Sequence, residues 1–459
     1  MKIIICGAGK VGFSIASYLE KSAHDIIVID QSEELVRSLS EHYDVRAICG
    51  IATDPRVLQQ AGAEDAEMLI AVTHFDEVNM IACEVANAVF KVPTKIARIR
   101  NPAYLSNEWA HLFEDKNISV DVTISPELEV AKAVCRGLAV PGTTGVTTMA
   151  EDLVKIIWVK CSSNTPIVNT PITHITSMFP NAQFNIAGIF RDNKLIIPEE
   201  KERLMAGDEI LFMTSEKELS ESMRAFGHFQ NSSRRILIIG AGNVGLSLAL
   251  SLEQNPIKDV QVKIIEKSKE RAQEVARQLT NIEVLAGDGL AVEVLREAGV
   301  EDTETFVAVT EDDKVNILAS LLAKQSGASR AMALIGNPDT IPLVKSLGID
   351  SVVNPREITV SSILRHVRQG SIKSVYTLRD NLGEIIEAQI TDKSSLIGSN
   401  PHEIDIPNQI KLVAVVRHGE VVLPTASLMI QLYDHLIVIA KRDSVKEVEK
   451  MFSARMEYF

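Results

Sequence analysis

Short apolar runs alternate with stretches of helical period along the first part of the chain. Lys2–Cys6, Asp25–Ile29, Val45–Ile48, Met68–Val72 and Thr94–Ile99 read as strands. Val11–Glu20, Glu33–Glu41, Val57–Ala61 and Glu77–Phe90 read as helices. Strands alternating with helices predict a parallel sheet covered on both faces. Thr53–Asp54–Pro55 reads as a helix start, with Pro55 at the first helical position. The pattern then changes. Ala139–Gly145, which holds Pro141, Gly142 and Gly145, reads as a linker. Beyond it, Leu153–Lys160, Ile186–Arg191, Lys194–Ile197 and Gly207–Thr214 read as strands, with a turn at Asp192–Asn193 and a helix over Glu216–Phe226. This is a small α+β module.

The whole arrangement occurs twice. GAGKVG at Gly7–Gly12 returns as GAGNVG at Gly240–Gly245, and AGAEDAE at Ala61–Glu67 as AGVEDTE at Ala298–Glu304. AVTHFDEVN at Ala71–Asn79 returns as AVTEDDKVN at Ala308–Asn316, and ARIRNP at Ala97–Pro102 as ALIGNP at Ala333–Pro338. DVTISPE at Asp121–Glu127 matches DSVVNPRE at Asp350–Glu357. Five ordered matches make the chain an internal duplication. The second small module repeats as Leu412–Arg417, a turn at His418–Gly419, Glu420–Leu423, His435–Ala440 and a helix over Ser444–Phe452. The expected fold is a tandem duplication of a Rossmann-like doubly wound α/β domain, each copy followed by a small α+β domain. The expected domains are 1–137, 142–228, 233–368 and 371–455.

Each glycine motif follows a strand and opens a helix, the context in which GxGxxG carries a mechanism. The first glycine permits a tight turn, the second lets a pyrophosphate approach the backbone, and the third lets helix pack on strand. The helix start then offers free N–H groups to phosphates. An acid closes the second strand of each copy, Asp30 and Glu266, placed to accept hydrogen bonds from ribose hydroxyls. A carboxylate there repels a 2′-phosphate, which favours NAD(H) over NADP(H) and leaves ATP, ADP and AMP open. Thr73 and Thr310 end the fourth strands, at the side where ligands lie in open α/β sheets, and His74 and Glu311 follow as a polar lip. Asp288 could face adenine; its first-half counterpart is Ile51. Arg98 and Arg100 end the fifth strand where an anionic ligand would lie, either as phosphate partners or as a solvated charged edge. Their counterparts are Leu334 and Gly336, so the two crevices are expected to differ in affinity or in ligand.

Charge and cysteine content narrow the function. The 459-residue chain carries a formal net charge of −14, which argues against a nucleic-acid partner and against adhesion to anionic lipid. Five cysteines, Cys6, Cys49, Cys83, Cys135 and Cys161, show no paired metal spacing and read as reduced, packed thiols of a cytosolic protein. No apolar run approaches the roughly 18–20 residues of a bilayer span, and the start is too short for a signal sequence. The small modules contain no His cluster, nucleophile elbow or paired carboxylates and so offer no proton donor of their own, which makes an NAD-dependent oxidoreductase the alternative to a regulatory binding protein. A DNA-binding repressor lacks its basic recognition helix.

These motifs, doubled and interleaved with small modules, resemble the TrkA family, cytoplasmic nucleotide-binding subunits of Trk-type potassium uptake systems whose halves are RCK (KTN) domains. The resemblance covers nearly the whole chain. It implies a non-enzymatic, peripheral protein on the cytoplasmic face of the inner membrane. It implies a ring of RCK domains, expected to be a tetramer, under a TrkH-like membrane-embedded potassium-translocating subunit gated by NAD(H) and adenine nucleotides. Carried over by motif, the first site comprises Gly7, Ala8, Gly9, Lys10, Val11 and Gly12 with Asp30, Ile51, Thr73, His74 and Arg98. The second comprises Gly240, Ala241, Gly242, Asn243, Val244 and Gly245 with Glu266, Asp288, Thr310 and Glu311.

Overall fold

The computed structural model describes the chain except residues 21–23, 106–107, 110, 115–116, 229–233, 255–259, 368–370, 379–381, 402–406, 408, 426 and 453–459. The expected boundaries at residues 233, 368 and 455 lie outside the described residues. The first unit runs β1 (Lys2–Cys6), α1 (Lys10–Leu19), β2 (Asp25–Asp30), α2 (Glu33–His42), β3 (Arg46–Cys49), α3 (Pro55–Gln60), β4 (Met68–Ala71), α4 (Asp76–Phe90), β5 (Thr94–Arg98), α5 (His111–Glu114), β6 (Val122–Ile124) and α6 (Pro126–Ala139). Its strands pair in parallel in the order β3-β2-β1-β4-β5-β6. The reversal of order at β1 opens a crevice beyond the strand C-termini between β1 and β4. Asp54 caps α3 by accepting the Arg56 N–H, with Pro55 first in the helix, as its sequence predicts.

The first small module holds β7 (Gly145–Met149), β8 (Val154–Lys160), α7 (Ile172–Met178), β9 (Phe184–Arg191), β10 (Lys194–Ile196), β11 (Glu209–Ser215) and α8 (Leu219–Ala225). Its strands are antiparallel in the order β10-β9-β11-β8-β7. Arg191 grips the buried Asp208 with two hydrogen bonds of 2.8 Å each. The second unit repeats the first: β12 (Arg235–Ile239), α9 (Asn243–Gln254), β13 (Gln261–Glu266), α10 (Lys269–Gln278), β14 (Glu283–Ala286), α11 (Val292–Glu297), β15 (Thr305–Ala308), α12 (Asp313–Gln325), β16 (Arg330–Leu334), α13 (Ile341–Ser346), β17 (Ser351–Val353) and α14 (Pro355–Val367). Its sheet has the same order, β14-β13-β12-β15-β16-β17. The second small module follows with β18 (Ile372–Thr377), β19 (Gly383–Gln389), β20 (Ile410–Arg417), β21 (Glu420–Val422), β22 (His435–Lys441) and α15 (Val445–Phe452). Arg417 and Asp434 repeat the Arg191–Asp208 grip.

Several strands escape the sequence pattern. Residues Ala139–Gly145 are not all linker: α6 runs through Ala139 and β7 starts at Gly145. The GVTTM run of β7 is rich in polar Thr because it is an edge strand, half-exposed along most of its length. β19 carries Glu384 and Glu387 at 4% exposure each, acids that hide a buried strand from a hydropathy reading. Cys6, Cys83 and Cys161 are buried as expected, but Cys49 is exposed at the end of β3.

The two halves exchange their last helices. One face of the first sheet is covered by α1 together with Val360, Ile363, Leu364 and Val367 of α14. The matching face of the second sheet packs against Val130, Ala131, Val134 and Leu138 of α6. Close approach is possible because α6 presents Gly137 to Met332, whose Cε lies 2.7 Å from where a Cβ would be. Arg330, 8% exposed, fastens the exit of α6 by donating to the Gly137 and Thr143 carbonyls at 3.2 and 2.7 Å. The small modules also share a core, with Trp158 against Tyr376 at 5.4 Å between ring centroids. Lys411 donates across it to the Ile186 carbonyl at 2.7 Å, and burial lowers its pKa to about 8.

The exchange predicts a long-range effect. Ile363→Ala, a change in the second half, should destabilise the sheet of the first half by about 2–5 kcal/mol. Amide hydrogen exchange should show faster opening of β1 and β2. Unchanged protection there, with opening confined to the second half, would contradict the exchange.

Two glycine crevices opening on one cavity

Each glycine loop is shaped by backbone contacts. Gly7 has φ 112° and Gly240 φ 94°, a left-handed conformation that favours glycine. A Cβ on Gly12 would lie 1.8 Å from the Gly7 carbonyl oxygen, and one on Gly245 1.9 Å from that of Gly240. Gly9 and Gly242 face open space, with nothing within 4 Å of a built Cβ. The glycines therefore divide as their spacing predicts, into turn, approach and packing positions.

The strand-end acids hold these loops. Asp30 accepts the Ala8 N–H at 2.7 Å and the Ser32 N–H at 2.9 Å. Glu266 accepts the Ala241 N–H at 2.7 Å and the Ser268 N–H at 2.9 Å. Each carboxylate oxygen keeps a further lone pair for a hydroxyl donor. The acid thus clamps the loop through its backbone.

A second duplicated device was not read from the sequence. Asn79 is fully buried; its Oδ1 accepts from the Thr73 N–H and Oγ1 at 2.8 and 2.7 Å, and its Nδ2 donates to the Arg98 carbonyl at 2.9 Å. Asn316 does the same for Thr310 and Leu334. Asp76 accepts the N–H groups of Arg100 and Asn101, and Asp313 those of Gly336 and Asn337. The DxxN of the repeated AVTxxDxxN motif ties the ends of the fourth and fifth strands together. Its recurrence in both halves was the available signal.

Both crevices open into one cavity of about 1420 Å³, larger than the roughly 300–1,000 Å³ of a single ligand pocket. Gly7, Gly9, Lys10, Val11, Asp30, Ile51, Thr73, His74 and Arg98 line it from the first half. Gly240, Gly242, Asn243, Val244, Glu266, Asp288, Thr310 and Glu311 line it from the second. Ala8, Gly12, Ala241 and Gly245 do not reach the cavity; they shape the wall from behind.

The two sides differ in charge. From the first half the cavity is lined by Lys10, Arg98, Arg100, Asp30 and Glu127, and from the second by Lys267, Arg356, Glu266, Asp288, Glu311, Asp312 and Asp313. Neither arginine of the first half is a solvated edge. Arg98 is mostly buried and its Nε has no partner among the described residues. Burial lowers its pKa, with Glu127 opposing and Arg100 adding to the drop. Arg100 pairs with the buried Glu127 at 3.0 Å and lies 3.5 Å from His74 Nδ1. Asp288 is tied to Lys267 at 2.9 Å and to the Leu290 N–H at 3.0 Å. Those bonds, that to the backbone first, hold its carboxyl below the usual range.

Asn79→Ala should therefore cost about 2–4 kcal/mol, since it strands a buried N–H and a carbonyl, whereas Thr73→Val, which loses one hydroxyl bond, should cost about 1 kcal/mol. Denaturant unfolding of the two variants checks the order; equal losses would remove Asn79 from this role.

A model of the TrkA-N domain matches residues 3–126 and 236–355, and a model of the TrkA-C domain matches 156–227 and 385–453. A Trk system potassium uptake protein TrkA of Azorhizobium caulinodans is 41% identical over 459 residues, all of both chains. The protein of that name from Halomonas elongata is 38% identical over 464 residues, again all of both. The fold is that of the GsuK RCK domain, at a TM-score of 0.59 and 17% identity over 98% of this chain and 94% of that one. The GsuK channel bound to NAD superposes equally well, over 98% and 78%. With both domain models matching twice in alternation and full-length relatives above the level that defines kinship, the chain belongs to the TrkA family of Trk-system potassium uptake proteins.

Proposed function

We propose that the chain is the nucleotide-binding regulatory subunit of a potassium uptake system and performs no chemistry of its own. The observation that carries this reading is the pair of carboxylate-clamped glycine loops opening on one cavity walled by both halves. Adenine dinucleotides and adenine nucleotides fit it: pyrophosphate over Gly9 or Gly242 at the helix start, ribose hydroxyls on Asp30 or Glu266, and, in the first half, further phosphate toward Arg98. The name of the similar NAD-bound channel supports NAD(H). The names of the full-length relatives support potassium.

The chain would act as four domains, 1–137, 142–228, 233–368 and 371–455, in a ring, expected to be a tetramer, beneath a membrane-embedded translocating subunit on the cytoplasmic face of the inner membrane. No helix among the described residues is long and apolar enough to cross a membrane, so attachment would run through that subunit. A ligand shifts such a complex only through unequal affinity for its two states.

Full-length chain titrated with NADH and with ATP should bind both, and the affinity of at least one should change when the membrane subunit is present. Asp30→Ala should weaken NADH binding by about tenfold, the loss of a charge-assisted hydrogen bond. Identical affinities with and without the membrane subunit would remove the regulatory coupling, and steady NADH oxidation would turn the reading toward an enzyme.

A further inference from the structure

The internal repeat conserves the backbone of the two crevices but relocates a guanidinium. In the first half Arg98 ends β5, and the second residue of α6, after Pro126, is Glu127. In the second half Leu334 ends β16, 9% exposed in the apolar core, and the second residue of α14, after Pro355, is Arg356. β17 pairs directly with β16, so α14 starts one strand over from the position that Leu334 leaves without charge.

Arg356 reaches the cavity. Its Nε is shut off from solvent and has no hydrogen-bond partner among the described residues, the same condition as Arg98 Nε. A buried N–H without an acceptor carries its full desolvation cost until something accepts it. The backbone around it is fixed, because Asn354 Oδ1 accepts the Arg356 N–H at 2.9 Å and caps the helix. Lys267, the other cation on this side, is already tied to Asp288.

We propose that Arg356 is the phosphate-binding residue of the second crevice, supplying from the start of α14 the guanidinium that the strand end lacks. The inference rests on the nucleotide-binding reading above and extends it: the second crevice holds its adenine nucleotide by the phosphates too. An anion there also satisfies the buried Nε. Arginine suits the position because its planar fork can meet two phosphate oxygens at once.

The test is titration of the full-length chain with ADP, with Arg98→Gln marking the first crevice and Glu266→Gln the second. Arg356→Gln should weaken the Glu266-sensitive class by about tenfold or more and leave the Arg98-sensitive class unchanged. Arg356→Lys should fall between, and melting without nucleotide should match wild type for both. If Arg356→Gln does not fold, Arg356→Lys alone decides, since a point charge retains only part of a forked contact. Two unaltered classes in the folded variants would overturn the assignment while leaving nucleotide binding intact. So would a loss confined to the Arg98-sensitive class. Wild-type chain that binds no ADP at either crevice would overturn both this inference and the reading beneath it.

Discussion

The exchange of α6 and α14 is the constraint on which the rest of the molecule depends. A Rossmann-like sheet needs helices on both faces, and each unit here lacks one of its own. The first sheet is completed by Val360, Ile363, Leu364 and Val367 from the second half, the second by Val130, Ala131, Val134 and Leu138 from the first. Burying such side chains stabilises each sheet by roughly 1.5–3 kcal/mol apiece, so neither half can close its core without the other. Both crevices open on one cavity, and the two exchanged helices pack against each other. Arg330, holding two carbonyls at the end of α6, fixes the geometry from the second sheet.

Within that frame, local devices are duplicated with little change. Asp30 and Glu266 clamp the glycine loops, and Asn79 and Asn316 tie the fourth and fifth strands. Arg191–Asp208 and Arg417–Asp434 anchor the small modules. Each satisfies buried polar groups through side chains, which matters most where strands end and backbone bonds run out. What changes between the halves is charge. Arg98 against Leu334 and Glu127 against Arg356 alter the field in the cavity while leaving the scaffold alone. Duplication preserved the parts that hold the fold and varied the parts that would meet a ligand.

The sequence shows this division unevenly. The strand–helix alternation, the glycine turns and the strand-end acids were legible because each is a local pattern with a local cause. The strands β7 and β19 were not, since an edge strand tolerates Thr and a shared core can bury Glu384 and Glu387. The roles of Asn79 and Asp76 are hidden although their motif repeats: Asn79 reaches the Arg98 carbonyl at the end of β5 and Asp76 the N–H groups of Arg100 and Asn101 just beyond it, and only the fold brings these into reach. The helix exchange left no local trace at all. Its signal is the apolar face of α6 and α14, which reads the same whichever sheet it covers. Arg356 is hidden for a related reason: the repeat sets Leu334 opposite Arg98 at the strand end, and the cavity's guanidinium stands one strand over, at the start of α14.

A shared cavity also changes what a ligand can do. With separate pockets, an event at one would reach the other only through the intervening core. Here Glu127 begins the helix that packs on α9, directly after the second glycine loop, and is at the same time the partner of Arg100 beside the first. Arg356 begins the helix that packs on α1, after the first loop, and lines the cavity shared with the second. Arg356, and Arg100 through Glu127, are therefore joined to helices embedded in the opposite half. Because cores are close-packed, such a helix shifts as a body rather than yielding locally. The walls of each crevice are thus built in part on a helix that closes the core of the other half.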